Sequence, residues 1–233
     1  MKKKKLLCVI CARSGSKRLI NKNQKKLFGK PLILHTIDQA LESKLFTNIV
    51  FSTDSKNLQK IARKTGVEVW FQRPKKLSGD NVAKMPVIRH AVIETENRFK
   101  LKFDYVFDLD VTSPLRKVSD IKKSFKHFLR SKKDMLVSAN RARKNPYFNM
   151  VEFNKKNKLT LVKNPKNFYV RSQDAPIVYE LNASIYIWKR QACFNQKGPF
   201  CKKTTLYEMP YNRSIDIDTL SDFKMVEFFG RKK

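Results

Sequence analysis

Short apolar or β-branched runs alternate with helix-period segments over most of the first 140 residues, and this alternation narrows the possible folds more than any other feature of the chain. Strands are predicted near Leu6 to Ala12, Asn48 to Thr53, Val67 to Phe71, Tyr105 to Val111 and Met135 to Ala139. Helices fall between them. Pro31 suits a first helical turn ahead of Ile33, Ile37 and Leu41, and Val118, Ile121, Phe125 and Phe128 recur at three and four residues. Strands apolar on both faces and joined through helices imply a three-layer α/β/α sandwich around a mostly parallel sheet. Ligands then belong beyond the carboxyl ends of the strands.

The rhythm stops after Asn140. Residues 141–182 are polar, contain Pro146, Pro165 and Pro176, and show only strand-like pieces at Tyr147 to Phe153 and Leu159 to Val162. They read as a β-rich flap inserted into one domain that spans residues 1–233. The sheet pattern resumes at Ala183 to Trp188, and a last helix carries Phe223, Val226 and Phe229. With 41% apolar residues, a chain of this length can bury one sizeable core.

A formal charge of +31 is the footprint expected of a nucleic-acid binder. Its lysines are spread along every segment instead of gathering on one helix or arm, so a solvated basic surface explains them as well, and anionic small substrates fit the same charge. The apolar stretches are too short and too interrupted for a transmembrane helix. Leu6 to Ala12 runs into Arg13 and Lys17, not into a small-residue cleavage site, which favours a first core strand in a cytoplasmic protein over a signal peptide. Cys8 and Cys11 share that strand, so they read as core thiols, and Cys193 and Cys201 lack the spacing of a second zinc pair.

Chemistry concentrates where the first strand ends. Ala12-Arg13-Ser14-Gly15-Ser16-Lys17-Arg18, followed by Lys22-Asn23, is a small-residue loop with several cations, suited to wrapping a polyphosphate with backbone N–H groups and guanidinium forks. It matches neither a P-loop nor a dinucleotide glycine fingerprint. Asp216 and Asp218 alternate along an extended segment, so both carboxylates project to one side, as a hard divalent cation requires. A helix cap at Asp218 or Thr219 would explain one of these acids but not both. Asp108 and Asp110 alternate at the end of another apolar strand, with Asp110 nearer the carboxyl end and favoured for the site. Asp54 is expected to cap a helix.

Ile10 to Lys17, Lys22-Asn23, Gly29-Lys30-Pro31-Leu32, Ser52-Thr53-Asp54, Arg73-Pro74, Leu109 to Arg116 and Ser214 to Thr219 together resemble, in order and over nearly the whole chain, the cytidylyltransferases that activate sialic-acid-like sugars as CMP conjugates. Asp108 to Arg116, Arg143 to Asn149 and Asn182 to Ile187 look most similar to the bacterial CMP-legionaminate synthases. The resemblance implies a nucleotide-diphospho-sugar transferase fold, Mg2+ as cofactor, CTP and a nine-carbon 2-keto-3-deoxy sugar acid as substrates, and a homodimer whose flap reaches the partner's site. It also implies roles for single residues: Arg13 and Lys22 hold the triphosphate, Ala12, Ser14, Gly15 and Ser16 line its loop, Asn23 and Arg73 seat the nucleotide, and Asp216 and Asp218 bind metal. Asp110 completes the metal shell or accepts the sugar's proton.

Arg171, Gln173, Tyr179 and Asn182 are the candidates for the sugar's carboxylate and amide groups, although Arg171 could equally pair across a dimer interface. Two positions depart from the commoner sialic acid enzymes, which carry glutamine at Asp110 and a basic residue at Phe148. Legionaminic acid is therefore favoured as acceptor, with N-acetylneuraminate or an eight-carbon relative as the alternative. A basic nucleic-acid-binding protein is the more remote one.

Overall fold

A computed structural model describes residues 4–15 and 18–231. The strands are β1 Leu6–Cys11, β2 Lys26–Leu27, β3 Lys30–Pro31, β4 Asn48–Ser52, β5 Tyr105–Leu109, β6 Met135–Arg141, β7 Val151–Phe153, β8 Leu159–Leu161, β9 Tyr179–Lys189 and β10 Thr204–Glu208. The helices are α1 Leu32–Ser43, α2 Lys56–Arg63, α3 Lys84–Phe99, α4 Val118–Ser131, α5 Arg190–Asn195 and α6 Leu220–Arg231.

Among the described residues the central sheet has six strands in the order β10-β6-β9-β5-β1-β4. β1 runs parallel to both β4 and β5, and β6 runs parallel to β10, whereas β9 is antiparallel to its neighbours β5 and β6. The sheet is thus mostly parallel with one reversed strand. Chain order places β4 on one side of β1 and β5 on the other, so a crevice opens beyond the carboxyl end of β1 where the winding reverses.

The period-two pattern of β1 divides the core into layers. Leu6, Cys8 and Ile10 pack with Ile33, Ile37 and Leu58 from α1 and α2 and with Ile121 and Phe128 from α4. Leu7 and Val9 face the opposite way, toward Ile88, Ala91 and Val92 of α3 and Cys193 of α5. All these side chains are essentially solvent-free, so the strand carries no polar face, as a strand covered by helices on both sides requires. A third cluster, with Leu27, Leu32, Leu115, Ile217, Phe223 and Val226, fixes α6 against the front of the sheet.

Several expectations need correction. Val67 to Phe71 forms no strand of its own and contributes a single bridge, Glu68 to Val50. Residues 146–149 turn, and only Val151–Phe153 of that stretch is extended. β9 begins at Tyr179, four residues before the predicted Ala183. Pro31 occupies the cap of α1 instead of its first turn. Residues 142–178 leave the sheet at Arg141 and return at Tyr179, two residues paired with each other, and the Ala142 N–H donates to the Val178 carbonyl at 2.9 Å. β7 and β8 form a separate antiparallel hairpin within this excursion.

Candidate active site

The loops that follow β1 and β5 meet the segment leading into α6 around a cleft of about 420 Å3. That size suits a small-molecule site, which occupies roughly 300–1,000 Å3. Ala12, Arg13, Lys22 and Asn23 line it from the amino end of the chain, Asp110 and Thr112 from its middle, and Asp218 from near its carboxyl end.

Each wall has a local cause. Asn23 is buried in a 3₁₀ turn and donates through Nδ2 to the Arg13 carbonyl at 2.9 Å, which pins the start of the basic loop. Asp54 accepts from the Ser14 N–H at 2.8 Å and from Ser14 Oγ at 2.6 Å. It ties down the loop and does not cap α2, whose cap is Ser55 Oγ accepting from the Leu58 N–H. On the far wall, Thr219 Oγ1 accepts from the Asp222 N–H while the Asp222 carboxylate accepts from the Thr219 N–H, so α6 is capped reciprocally without Asp216 or Asp218. Asp218 is thereby left to line the cleft, whereas Asp216 is not part of its lining.

Lys22 Nζ donates to the Ile217 carbonyl at 2.6 Å and to Asp218 Oδ1 at 3.0 Å. Arg18 reaches Asp218 Oδ2 at 3.0 Å, and Arg13 forms an ion pair with Asp80. Asp216 is enclosed near Lys22 and Asp218, and its Oδ1 has no hydrogen-bond partner among the described residues. Burial, reinforced by the charges of Asp110 and Asp218, pushes its carboxyl up to about 6.

Asp110 is held differently. Its Oδ1 accepts from the Thr112 N–H at 3.1 Å and from Thr112 Oγ1 at 2.9 Å, and its Oδ2 accepts from Lys84 Nζ at 2.6 Å. Burial opposes ionisation there, yet Lys84 and Thr112 outweigh it and hold the carboxyl down at about 2. Lys84 also lies 2.5 Å from Asp108 Oδ2. Arg18 belongs to the basic loop read from the sequence, but Lys84 and Asp80 gave no signal there: each is one charged residue among many, and folding alone brings it to the site.

Other predicted residues lie elsewhere. The Arg73 guanidinium is buried and engaged with Ser52, donating from Nε to Oγ at 3.1 Å and from Nη2 to the Ser52 carbonyl, so it supports the end of β4 and does not line the cleft. Asn182 is buried too. Its Oδ1 accepts from Ser138 Oγ at 2.7 Å and its Nδ2 donates to Ser214 Oγ at 2.9 Å, which leaves its amide committed to the core and corrects its assignment to the sugar. Arg171 pairs with Asp174 inside the flap at 2.8 Å, Gln173 is exposed there, and Tyr179 donates to Glu208 Oε2 at 3.2 Å. None of these three lines the cleft of its own chain. Ser14 and Gly15 are exposed outside its lining, and Ser16 lies outside the described residues.

A family profile described as cytidylyltransferase matches residues 7–229. The chain is 43% identical over 228 residues to post-translational flagellin modification protein B of Campylobacter coli, covering 98% of this chain and 96% of that protein. It is 44% identical over 223 residues to CMP-N,N'-diacetyllegionaminic acid synthase of Campylobacter jejuni, covering 96% and 94% respectively. Among solved structures, CMP:2-keto-3-deoxy-manno-octonic acid synthetase complexed with CTP superposes with a TM-score of 0.67 at 17% identity, over 98% of this chain and 99% of that one, a likeness that concerns the fold. With a basic loop, a carboxylate wall and the winding reversal of the sheet gathered at one cleft, the chain belongs to the cytidylyltransferase family and is a nucleotidyltransferase.

Proposed function

We propose that this enzyme couples CTP to the anomeric hydroxyl of a nine-carbon 2-keto-3-deoxy sugar acid, with N,N'-diacetyllegionaminic acid as the favoured acceptor, giving the CMP-sugar and pyrophosphate. The observation that carries the reading is the convergence of Arg13, Lys22 and Asn23 with Asp110 and Asp218 on one cleft. Identity to the C. jejuni legionaminic acid synthase, at 44%, exceeds the 34% to N-acylneuraminate cytidylyltransferase of Streptococcus agalactiae, which favours a legionaminate-type acceptor.

In the reaction the anomeric oxygen forms a bond to the α-phosphorus, the bond from that phosphorus to the bridging oxygen breaks, and pyrophosphate leaves with the electron pair. Arg13 and Lys22 bind the phosphate oxygens and neutralise the charge that moves toward pyrophosphate. Binding of the triphosphate competes with the Arg13–Asp80 and Lys22–Asp218 contacts, so those carboxylates hold both cations at the cleft until nucleotide arrives. Asn23 keeps the Arg13 backbone in place, and Asp110 accepts the hydroxyl proton.

The carboxylates fit a hard divalent cation. Asp216 Oδ1 is buried without a hydrogen-bond partner among the described residues and lies beside Asp218, and a pair of carboxylates suits Mg2+, which takes one or two of them and fills its remaining sites with water and phosphate oxygens. Asp216 and Asp218 would hold Mg2+, which when bound offsets phosphate charge and acidifies the sugar hydroxyl.

We further infer a homodimer. The flap exposes Phe153, Phe168 and Val170, with Val170 91% exposed, and an apolar flap of this kind is suited to covering a second copy and presenting Arg171 and Gln173 to its cleft. Among the described residues no helix is long and apolar enough to cross a membrane, and a CTP-dependent reaction of this class fits the cytoplasm. The deciding experiment is pyrophosphate release with CTP and Mg2+, comparing N,N'-diacetyllegionaminate with N-acetylneuraminate, with UTP and GTP as nucleotide controls. Equal release from UTP or GTP, or faster turnover of N-acetylneuraminate, overturns the reading.

A further inference from the structure

Beyond the nucleotide cleft, a second cavity of about 670 Å3 lies between the amino end of α3 and the face of β9. Asp110 lines both spaces, so its carboxylate stands at the boundary between them. Asp108 and Lys84 line the second cavity and not the first, and its other walls include Met85, Met135, Tyr186 and Trp188. Tyr186 and Trp188 stack there with ring centres 5.8 Å apart.

Lys84 is the first residue of α3, and its ammonium sits between two carboxylates, 2.5 Å from Asp108 Oδ2 and 2.6 Å from Asp110 Oδ2. A lysine ammonium has three N–H donors, of which one is given to Asp110 Oδ2 while Asp108 is held by charge, and with the side chain 39% exposed donor capacity is left for the cavity. Asp110 Oδ2 already accepts from Lys84 and keeps a further lone pair. Asp108 is fully buried, and its Oδ1 has no hydrogen-bond partner among the described residues.

The formal charge of the three groups decides what they can bind. Arg89 and Lys197 also line the cavity, with Arg89 donating to the Cys193 and Gln196 carbonyls, but at the Lys84 cluster itself one cation faces two anions, and this local excess of negative charge disfavours a carboxylate ligand there. A cation has no reason to displace Lys84 from so close a pair. A neutral group with a donor and an acceptor side by side fits best: an amide C=O accepts from Lys84 while its N–H donates to Asp110, and the acyl methyl rests on the apolar wall.

The geometry points to Lys84 as a specificity-determining residue of the acceptor, which together with Asp110 recognises an acylamino substituent of the sugar acid in the second cavity. The inference rests on the reading that the acceptor is a sugar acid. It explains why a lysine should stand between two aspartates at this wall, where one neutral side chain would avoid the cost of desolvating charges.

The test measures initial rates with CTP and three acceptors: N,N'-diacetyllegionaminate, N-acetylneuraminate and the nonulosonate with hydroxyl groups in place of both acylamino groups. In Lys84→Met the KM for the diacetylated acceptor should rise on the order of tenfold or more, the loss expected for a charge-assisted hydrogen bond. The KM for CTP and for the acetamido-free acceptor should change little, so discrimination between acceptors collapses. Lys84→Arg keeps a donor and should recover part of the preference. Because Lys84→Met leaves two buried carboxylates without a cation, Lys84→Met/Asp108→Asn removes the cation together with one anion and reads the same discrimination in a protein free of that burden. An equal change for all acceptors, or one confined to CTP, overturns the role of Lys84. Wild-type enzyme that turns over none of the three acceptors overturns the sugar-acid reading itself, so the two failures are distinct.

Discussion

Lys22 and Asp218 stand 196 positions apart in the chain, yet Lys22 Nζ lies 3.0 Å from Asp218 Oδ1. The pair closes the site across the full length of the polypeptide. α6 must therefore be docked before the basic loop has its opposite wall, and the third core cluster, with Ile217 and Phe223 against Leu27 and Leu32, is what docks it.

Asp218→Ala should abolish CTP-dependent pyrophosphate release while leaving a folded protein. The carboxylate takes no part in capping α6, which Thr219 and Asp222 accomplish, so thermal unfolding should shift little. Wild-type turnover by this variant would remove Asp218 from the chemistry.

Arg13→Ala should lower kcat by about 10²–10³-fold, the loss typical of one preorganised charge at a developing anion. The KM for the sugar acid should barely move, since Arg13 lines the nucleotide cleft and not the second cavity. Steady-state kinetics with each substrate varied separately would expose the opposite pattern.

Glu96 makes acid sensitivity a property of the far side of the sheet. It is 3% exposed and accepts from Arg190 Nε at 2.6 Å, Lys102 Nζ at 2.9 Å and the Phe103 N–H at 3.2 Å. Burial works against its ionised form, but these donors prevail and hold its carboxyl below the ordinary 4.5. A folded value below the unfolded one stabilises the protein above the unfolded value, and the gain disappears as pH falls through the folded value. Glu96→Gln should thus lower the urea midpoint at pH 7, and the gap from wild type should narrow as pH drops below about 4.5. A gap that widens with acid would refute this.

Phe168→Ser combined with Val170→Ser should give a monomer by sedimentation velocity at concentrations where the wild type is dimeric, because both side chains stand largely in solvent on the single chain. If the wild type itself sediments as a monomer, the flap serves some other purpose.

The layered fold was legible because β1, β4, β5 and β6 are apolar on both faces, a pattern that few alternatives satisfy. β10 escaped notice because its sequence, Thr-Thr-Leu-Tyr-Glu, is only half apolar and only half buried at the sheet edge. The amino half of β9 was hidden by Tyr179, Glu180 and Asn182, polar residues that pair beyond the covered part of the sheet or inside its core. At the site, the basic loop and Asp218 could be read from spacing along the chain. Lys84 could not, since its role depends on the register of α3 against β5. Arg73 and Asn182 misled for a related reason: a polar side chain close to a site in sequence order can turn inward when buried carbonyls and hydroxyls need donors, as those of Ser52 and Ser214 do.

The direct pairing of Arg141 with Tyr179 gives the excursion between them a closed neck. Lengthening or shortening such an excursion changes the entropy of closing it only slowly with length, and the strands that bear the catalytic loops do not sense its content. Changes within residues 142–178 can therefore retune oligomeric contacts or acceptor choice in descendants of this chain, while the machinery that handles the nucleotide is inherited intact.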